Sequence, residues 1–178
     1  MAVKTTAEIG SKAIRSASKK VIKIDSPLVK KIIQDLIDTM RSANLVGMAA
    51  PQIGVNTRIF ITELRKTKFR KNIKDLDPLR VFINPLIVST SKKEIEGYEG
   101  CGSVASGGLF GLVKRPERIN IKAFNENEEE FELETEGLLA RVIQHEIDHL
   151  NGICFIDKVT DTKKLLGAGE FVKMTKSN

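Results

Sequence analysis

His145-Glu146-Ile147-Asp148-His149 is an H-E-x-x-H segment, and its residue types suit metal-assisted hydrolysis. Histidines four apart lie one turn apart on one helix face, so both imidazoles can reach one ion. Glu146 sits one residue on, close enough to touch a water held there. His145 and His149 are the only two histidines in the chain. A catalytic zinc-like ion wants three protein ligands and one open position. The acids downstream are Asp157, Asp161 and Glu170, and no later histidine follows. Cys101 is the more suggestive third ligand. It lies in a glycine-rich loop between Gly100 and Gly102, where backbone can approach an ion closely. The second cysteine, Cys154, reads as a buried structural thiol.

Several elements must position these groups. Ser26 as N-cap and Pro27 at the first helical position open a helix whose apolar stripe is Val29, Ile32, Ile33, Leu36, Ile37 and Met40, ending near Asn44. The segment 46–54 cannot be a regular helix across Pro51. Residues 58–62 read as a strand, and 81–85 and 86–88 as strand pieces bent at Pro85. Residues 97–111 are rich in glycine and serine. Residues 119–124 and 131–133 read as two strands joined by an acidic turn, with Phe131 and Leu133 alternating against Glu132 and Glu134 on a sheet with one wet face. The last strong element runs from about Glu136 to Leu150 and stops at Asn151-Gly152. It is apolar on two faces, Leu139, Ile143, Ile147 and Leu150 on one, Leu138 and Val142 beside the histidines on the other. Such a helix belongs in the middle of a domain. No repeat or low-complexity linker breaks residues 1–178, which read as one domain of mixed α and β elements.

Composition narrows the function classes. Hydrophobic residues at 41% and charged residues at 29% are those of an ordinary globular protein. No run approaches the roughly 18 apolar residues of a membrane span, and no apolar stretch follows the N-terminal lysines as a secretory signal requires. Two cysteines do not make a disulfide framework, and a reducing compartment is the simpler setting. The net charge of +6 is modest, and the chain has one Tyr and no Trp with which to stack on nucleic acid. No DNA partner is expected. Residues 65–74 carry six cations (Arg65, Lys66, Lys68, Arg70, Lys71, Lys74) and no acid, and read as an exposed loop or short helix.

Three separated motifs, Gly47-Met48-Ala49-Ala50-Pro51-Gln52, Glu99-Gly100-Cys101-Gly102-Ser103 and His145-Glu146-Ile147-Asp148-His149-Leu150, resemble those of the peptide deformylases, in the same order. Weaker likeness covers roughly residues 10–158. The resemblance implies an α+β fold with antiparallel sheets wrapped around the central helix that carries the H-E-x-x-H motif. It implies removal of the formyl group from the N-terminal methionine of nascent peptides. By that likeness Cys101, His145 and His149 bind one divalent metal, usually Fe2+, although a Cys-His-His set also suits Zn2+, Ni2+ or Co2+. Glu146 takes a proton from the metal's water and later delivers it to the departing amine. The side-chain amide of Gln52 and the backbone N–H of Gly102 meet the developing oxyanion. Glu99 and Arg115 resemble a pair bracing the cysteine loop. Val46 and Gly47 resemble the edge where substrate backbone adds as a strand, with Gly100 on the substrate path and the methionine side chain near Leu138 and Val142.

Four departures bear on selectivity. Leu45 stands where the first motif usually has glycine, and Gly102 where a larger residue usually follows the cysteine. Residues 105–111 carry extra glycines. Arg141 stands where an apolar residue is expected at the mouth of the methionine pocket, there to select polar or acidic following residues or to snorkel to solvent. The basic run at 65–74 reads as a solvated loop or a surface for transient contact with ribosomal RNA. The expected location is cytoplasmic and bacterial-type, with a processed organellar form left open. The rival readings are a zincin-like endoprotease and a decayed, non-catalytic relative.

Overall fold

The computed structural model describes residues 2–68, 70 and 73–176. Helix α1 (Lys12–Arg15) precedes α2 (Pro27–Ser42), then come β1 (Gly47–Ala49), a 3-10 turn (Ala50–Ile53), β2 (Ile59–Leu64), β3 (Asp77–Thr90), β4 (Glu94–Gly100), β5 (Leu109–Pro116), β6 (Arg118–Phe124) and β7 (Glu130–Glu136). Helix α3 (Gly137–Leu150), β8 (Leu166–Gly167) and α4 (Ala168–Lys176) complete the order. Two antiparallel sheets form among the described residues: β1-β2-β3-β6-β7, and β4-β5-β8.

Period-two alternation in the large sheet decides what each helix covers. Ile59 and Ile61 of β2, with Val81 and Ile83 of β3, meet the α2 stripe of Val29, Ile32, Ile33, Leu36 and Met40. Phe60 and Phe82 point the other way, stack with centroids 4.4 Å apart, and pack with Ile119 and Ile121 on Ile143, Ile147 and Leu150 of α3. The large sheet is therefore filled on both faces. On its far side α3 meets the β4–β5 hairpin through Arg115 and Arg141. The sheets thus enclose the histidine helix, which is the expected α+β arrangement.

The helix boundaries follow their caps. Ser26 Oγ accepts the Val29 N–H at 3.2 Å, and α2 stops at Ser42, with Asn44 beyond it at φ 57°. Helix α3 gives way to Gly152 at φ +75°, where a Cβ would lie 3.0 Å from the Arg15 backbone.

Two expectations need correction. The pieces on either side of Pro85 are one strand, β3, whose register shifts between Ile83 and Leu86 around Asn84 at φ 52°. The Asn84 amide holds that bend by bonding both the N–H and the carbonyl of Val21, at 2.8 and 2.9 Å. Residues 97–100 and 109–111, read only as part of a stretch rich in glycine and serine, belong to the paired strands β4 and β5. The basic run follows its loop alternative, not the short helix, among its described residues: Lys66, Lys68, Arg70 and Lys74 are exposed, while Thr67 is buried and Arg65 bonds Glu63 and the Leu45 carbonyl. Lys71, one of its six cations, lies outside the described residues.

Candidate active site

The buried turn after β4 delivers Cys101 to the polar face of α3. Its Sγ is 3.1 Å from His149 Nε2, and the donor atoms of Cys101, His145 and His149 all lie within 4.8 Å of one another. That gathering is close to the span of one ion with bonds of about 2.0–2.3 Å. The two rings lie nearly perpendicular, centroids 4.9 Å apart. His145 Nδ1–H donates to Glu99 Oε2 at 2.9 Å, which leaves Nε2 for an ion, the usual way a carboxylate fixes a ligating imidazole. One soft sulfur and two imidazoles suit a late divalent transition metal. The other acids considered as ligands are engaged elsewhere: Asp157 accepts the Cys154 N–H, Asp161 caps Lys163, and Glu170 pairs with Lys173.

Charge is organised around the sulfur. Burial alone pushes the Cys101 thiol up, but the His149 and His145 rings outweigh it and hold the thiol well below its ordinary value. Burial disfavours charge on His149, and the Cys101 thiolate more than offsets this, raising it to about 9. His145 is likewise carried well above its usual range, against burial, by Cys101 and Glu99. Glu146 behaves oppositely. Burial lifts its carboxyl to about 7, and its Oε2 has no hydrogen-bond partner. Its other oxygen lies over Gly47, where a Cβ would sit 2.5 Å from Oε1 and 2.7 Å from Val142 Cγ1. Only glycine lets β1 run this close to the helix.

Gln52 reaches the site from the 3-10 turn after β1. Its Oε1 accepts the Ala49 N–H at 2.8 Å, so the amide faces its Nε2 towards Cys101 Sγ at 3.5 Å and Ser103 Oγ at 3.4 Å. Gly102 follows the sulfur and, with Leu45, Val46, Gly47, Tyr98, Glu99, Gly100, Leu138, Arg141 and Val142, lines the groove over Cys101 and His145. β1 and β4 are each the outermost strand of a sheet, so the groove lies between two sheet edges.

Glu99 is the centre of a buried charge cluster. Arg115 grips it with two bonds of 2.6 and 2.8 Å and reaches Asp148 of α3 at 2.7 Å. Burial opposes the Glu99 charge, yet Arg115 and His145 hold the carboxyl far below the usual carboxylate range. Arg141 neither snorkels nor sits free at a rim. Its guanidinium bonds Glu99 and the carbonyls of Ile95, Gly97 and Val113, because β4 passes directly beneath it. Asp148, Ser103 and Tyr98 took no role in the sequence reading. Asp148 and Ser103 stand inside the quoted motifs, whereas nothing in the sequence marks Tyr98.

The comparisons agree with this geometry. The family model of polypeptide deformylase matches residues 3–165. A peptide deformylase of Natranaerobius thermophilus is 40% identical over 161 residues, 90% of this chain and 95% of its own. One of Clostridium botulinum is 42% identical over 160 residues, 90% of this chain and 99% of its own. Among solved structures, the class I type b peptide deformylase of Acinetobacter baumannii with Met-Ala-Ser bound superposes with a TM-score of 0.81 at 30% identity, covering 88% of this chain and 99% of that one. With its Cys-His-His cluster set between two sheet edges, and a match to nearly its whole length, this chain belongs to the polypeptide deformylase family.

Proposed function

We propose that this protein hydrolyses the N-formyl group from the terminal methionine of nascent peptides and releases formate. The observation that carries this reading is the buried convergence of Cys101, His145 and His149, with the unpartnered Glu146 carboxylate beside them. We assign those three residues as ligands of one divalent ion, Fe2+ physiologically, with Zn2+, Ni2+ or Co2+ as substitutes. When bound, that ion supplies Lewis acidity and a water acidified towards neutrality.

The chain's own residues do the rest. Glu146 accepts the water proton and passes it to the departing amine, a task suited to a buried carboxylate whose Oε2 has no other hydrogen-bond partner. Gln52 Nε2 and the Gly102 N–H donate to the formyl oxygen as negative charge develops there, each such donor being worth about 2.7–4 kcal/mol of barrier. Glu99 fixes the His145 ring, and Arg115 fixes Glu99. The peptide adds as a strand along Val46 and Gly47 and passes Gly100, with the methionine side chain beside Leu138 and Val142. Arg141 shapes that wall by holding β4. All 178 residues serve one catalytic unit working in the bacterial-type cytoplasm.

The test is formate release from formyl-Met-Ala-Ser together with metal analysis. The expected result is one bound ion per chain and turnover that Glu146→Ala abolishes while metal content is kept. Internal peptide cleavage, or metal without formate release, would overturn the assignment. The described cations of 65–74 favour a transient ribosome contact. Its check is co-sedimentation with ribosomes that weakens as salt rises.

A further inference from the structure

The β4 wall of the groove leans on aromatic rings that lie outside it. Tyr98 and Gly100 line the groove, and Gly100 pairs across the hairpin with Phe110 of β5. A Cβ on Gly100 would lie 2.6 Å from the Phe110 ring, so that ring presses on the backbone of the residue before Cys101. Phe171 of α4 stacks on Phe110 with centroids 4.0 Å apart and planes within 3° of parallel. Its edge also meets Tyr98, at 5.7 Å and 64°. The helix is fastened to the same hairpin. β8 pairs with β5 at Leu109 and Phe110, and the Ala168 N–H donates to the Gly108 carbonyl at 2.9 Å. β8 and α4 lie beyond residue 165, where the family match ends.

We infer that Phe171 is a positioning residue for the peptide groove, acting through Phe110 on Gly100 and through Tyr98 on the groove wall. Exposed strand edges hold extended peptides only if they keep their line, and β4 is an edge strand whose groove-lining end carries glycines at 97 and 100. A glycine brings no side chain to pack, so its line is set by what presses on it. Two stacked rings supply that pressure from behind. Neither ring lines the groove beside His145 and Glu146, so the loss of the pair acts on peptide binding more than on turnover. The inference rests on the deformylase reading above.

The experiment compares the metal-loaded full chain with Phe171→Ala, Phe171→Tyr and Val172→Ala. Val172 is exposed on the same helix and serves as the control. Formate release from formyl-Met-Ala-Ser separates KM from kcat. Tyr98 is the single tyrosine in a chain without tryptophan, so its emission and acrylamide quenching report on the wall directly. Phe171→Ala is expected to raise KM about threefold to tenfold with kcat within about twofold, the range set by losing one or two aromatic contacts. Tyr98 becomes more quenchable in the same variant. Phe171→Tyr keeps the stacked ring and the wild-type KM, and Val172→Ala moves neither value. Titrating Met-Ala-Ser against Tyr98 emission in wild type, Phe171→Ala and Val172→Ala repeats the comparison without turnover, so a wild type that released no formate would sink the functional reading and still leave the positioning role judged. Wild-type KM and quenching in Phe171→Ala, or the same shifts in Val172→Ala, overturn the inference.

Discussion

Leu45 and Gly102 face each other across the groove: a Cβ on Gly102 would sit 3.6 Å from Leu45 Cδ1. Each departs from the motif the chain otherwise resembles, and the two departures adjoin in space. Volume absent after the cysteine is present at Leu45. Gly102→Leu alone therefore crowds Leu45 and is expected to lower both thermal stability and kcat/KM. Leu45→Gly in the same chain restores them. The coupling energy between the two changes is expected to be about 1 kcal/mol, as for residues in contact. Additive effects in thermal unfolding would mean that the two sites do not compensate.

Gly47→Ala tests the closest approach of β1 to α3. The added methyl would come within 2.5 Å of Glu146 Oε1 and 2.7 Å of Val142 Cγ1, and neither neighbour is the loose end of a surface side chain. Formate release is expected to fall about 100-fold or more, because a small misplacement of the carboxylate proposed as the base is costly. Metal content stays at the wild-type level. Full activity would show that Glu146 has another productive position.

Arg141→Leu separates bracing from selection. Its guanidinium serves Glu99 and three strand carbonyls, so removing it leaves a buried carboxylate with one arginine fewer. Stability is expected to drop by about 2–4 kcal/mol. The ranking of formyl-Met peptides by their second residue does not change, since both terminal nitrogens of the guanidinium are already committed to Glu99 and strand carbonyls. A changed preference for acidic second residues would restore a selective role.

Glu63 gives a pH signature away from the site. It takes two bonds from Arg41 at the end of α2 and one from Arg65, and the Arg41 bond above all lowers its carboxyl below the ordinary value. A depressed carboxylate stabilises the fold above the unfolded value of about 4.3, and that stability is lost as pH falls through the folded value. Glu63→Gln is expected to cost no more than about 1 kcal/mol at pH 7, given solvent screening. The difference from wild type closes as the solution is acidified below pH 4. Chemical denaturation at both pH values measures it.

Much of this was legible in the chain because helices announce themselves. The Ser26-Pro27 start, the α2 stripe and the two-faced α3 all have the period and caps that a reader can find. The β4–β5 hairpin was not legible, for a physical reason. Its inward parity is Ile95, Gly97 and Glu99 on one strand and Gly111, Val113 and Arg115 on the other. Glycines and a mutually neutralising ion pair stand where alternation would show apolar residues, so the period-two signal vanishes. The same pair that hid the strands joins the cysteine strand to α3. Phe171 was illegible for another reason: a lone aromatic in a charged tail shows nothing until its partner ring is placed.

The histidine helix is moored to the β4–β5 hairpin at two places, Arg141 near its start and Asp148 near its end, about 10 Å apart along the axis. Sliding or rolling α3 would strain both moorings at once, so the two imidazoles have little freedom to follow ions of different radius. Adjustment to a larger or smaller cation must then come from the sulfur, on its turn between two glycines. In the proposed site, exchanging one metal for another is thus expected to displace the Cys101 turn more than the histidine helix.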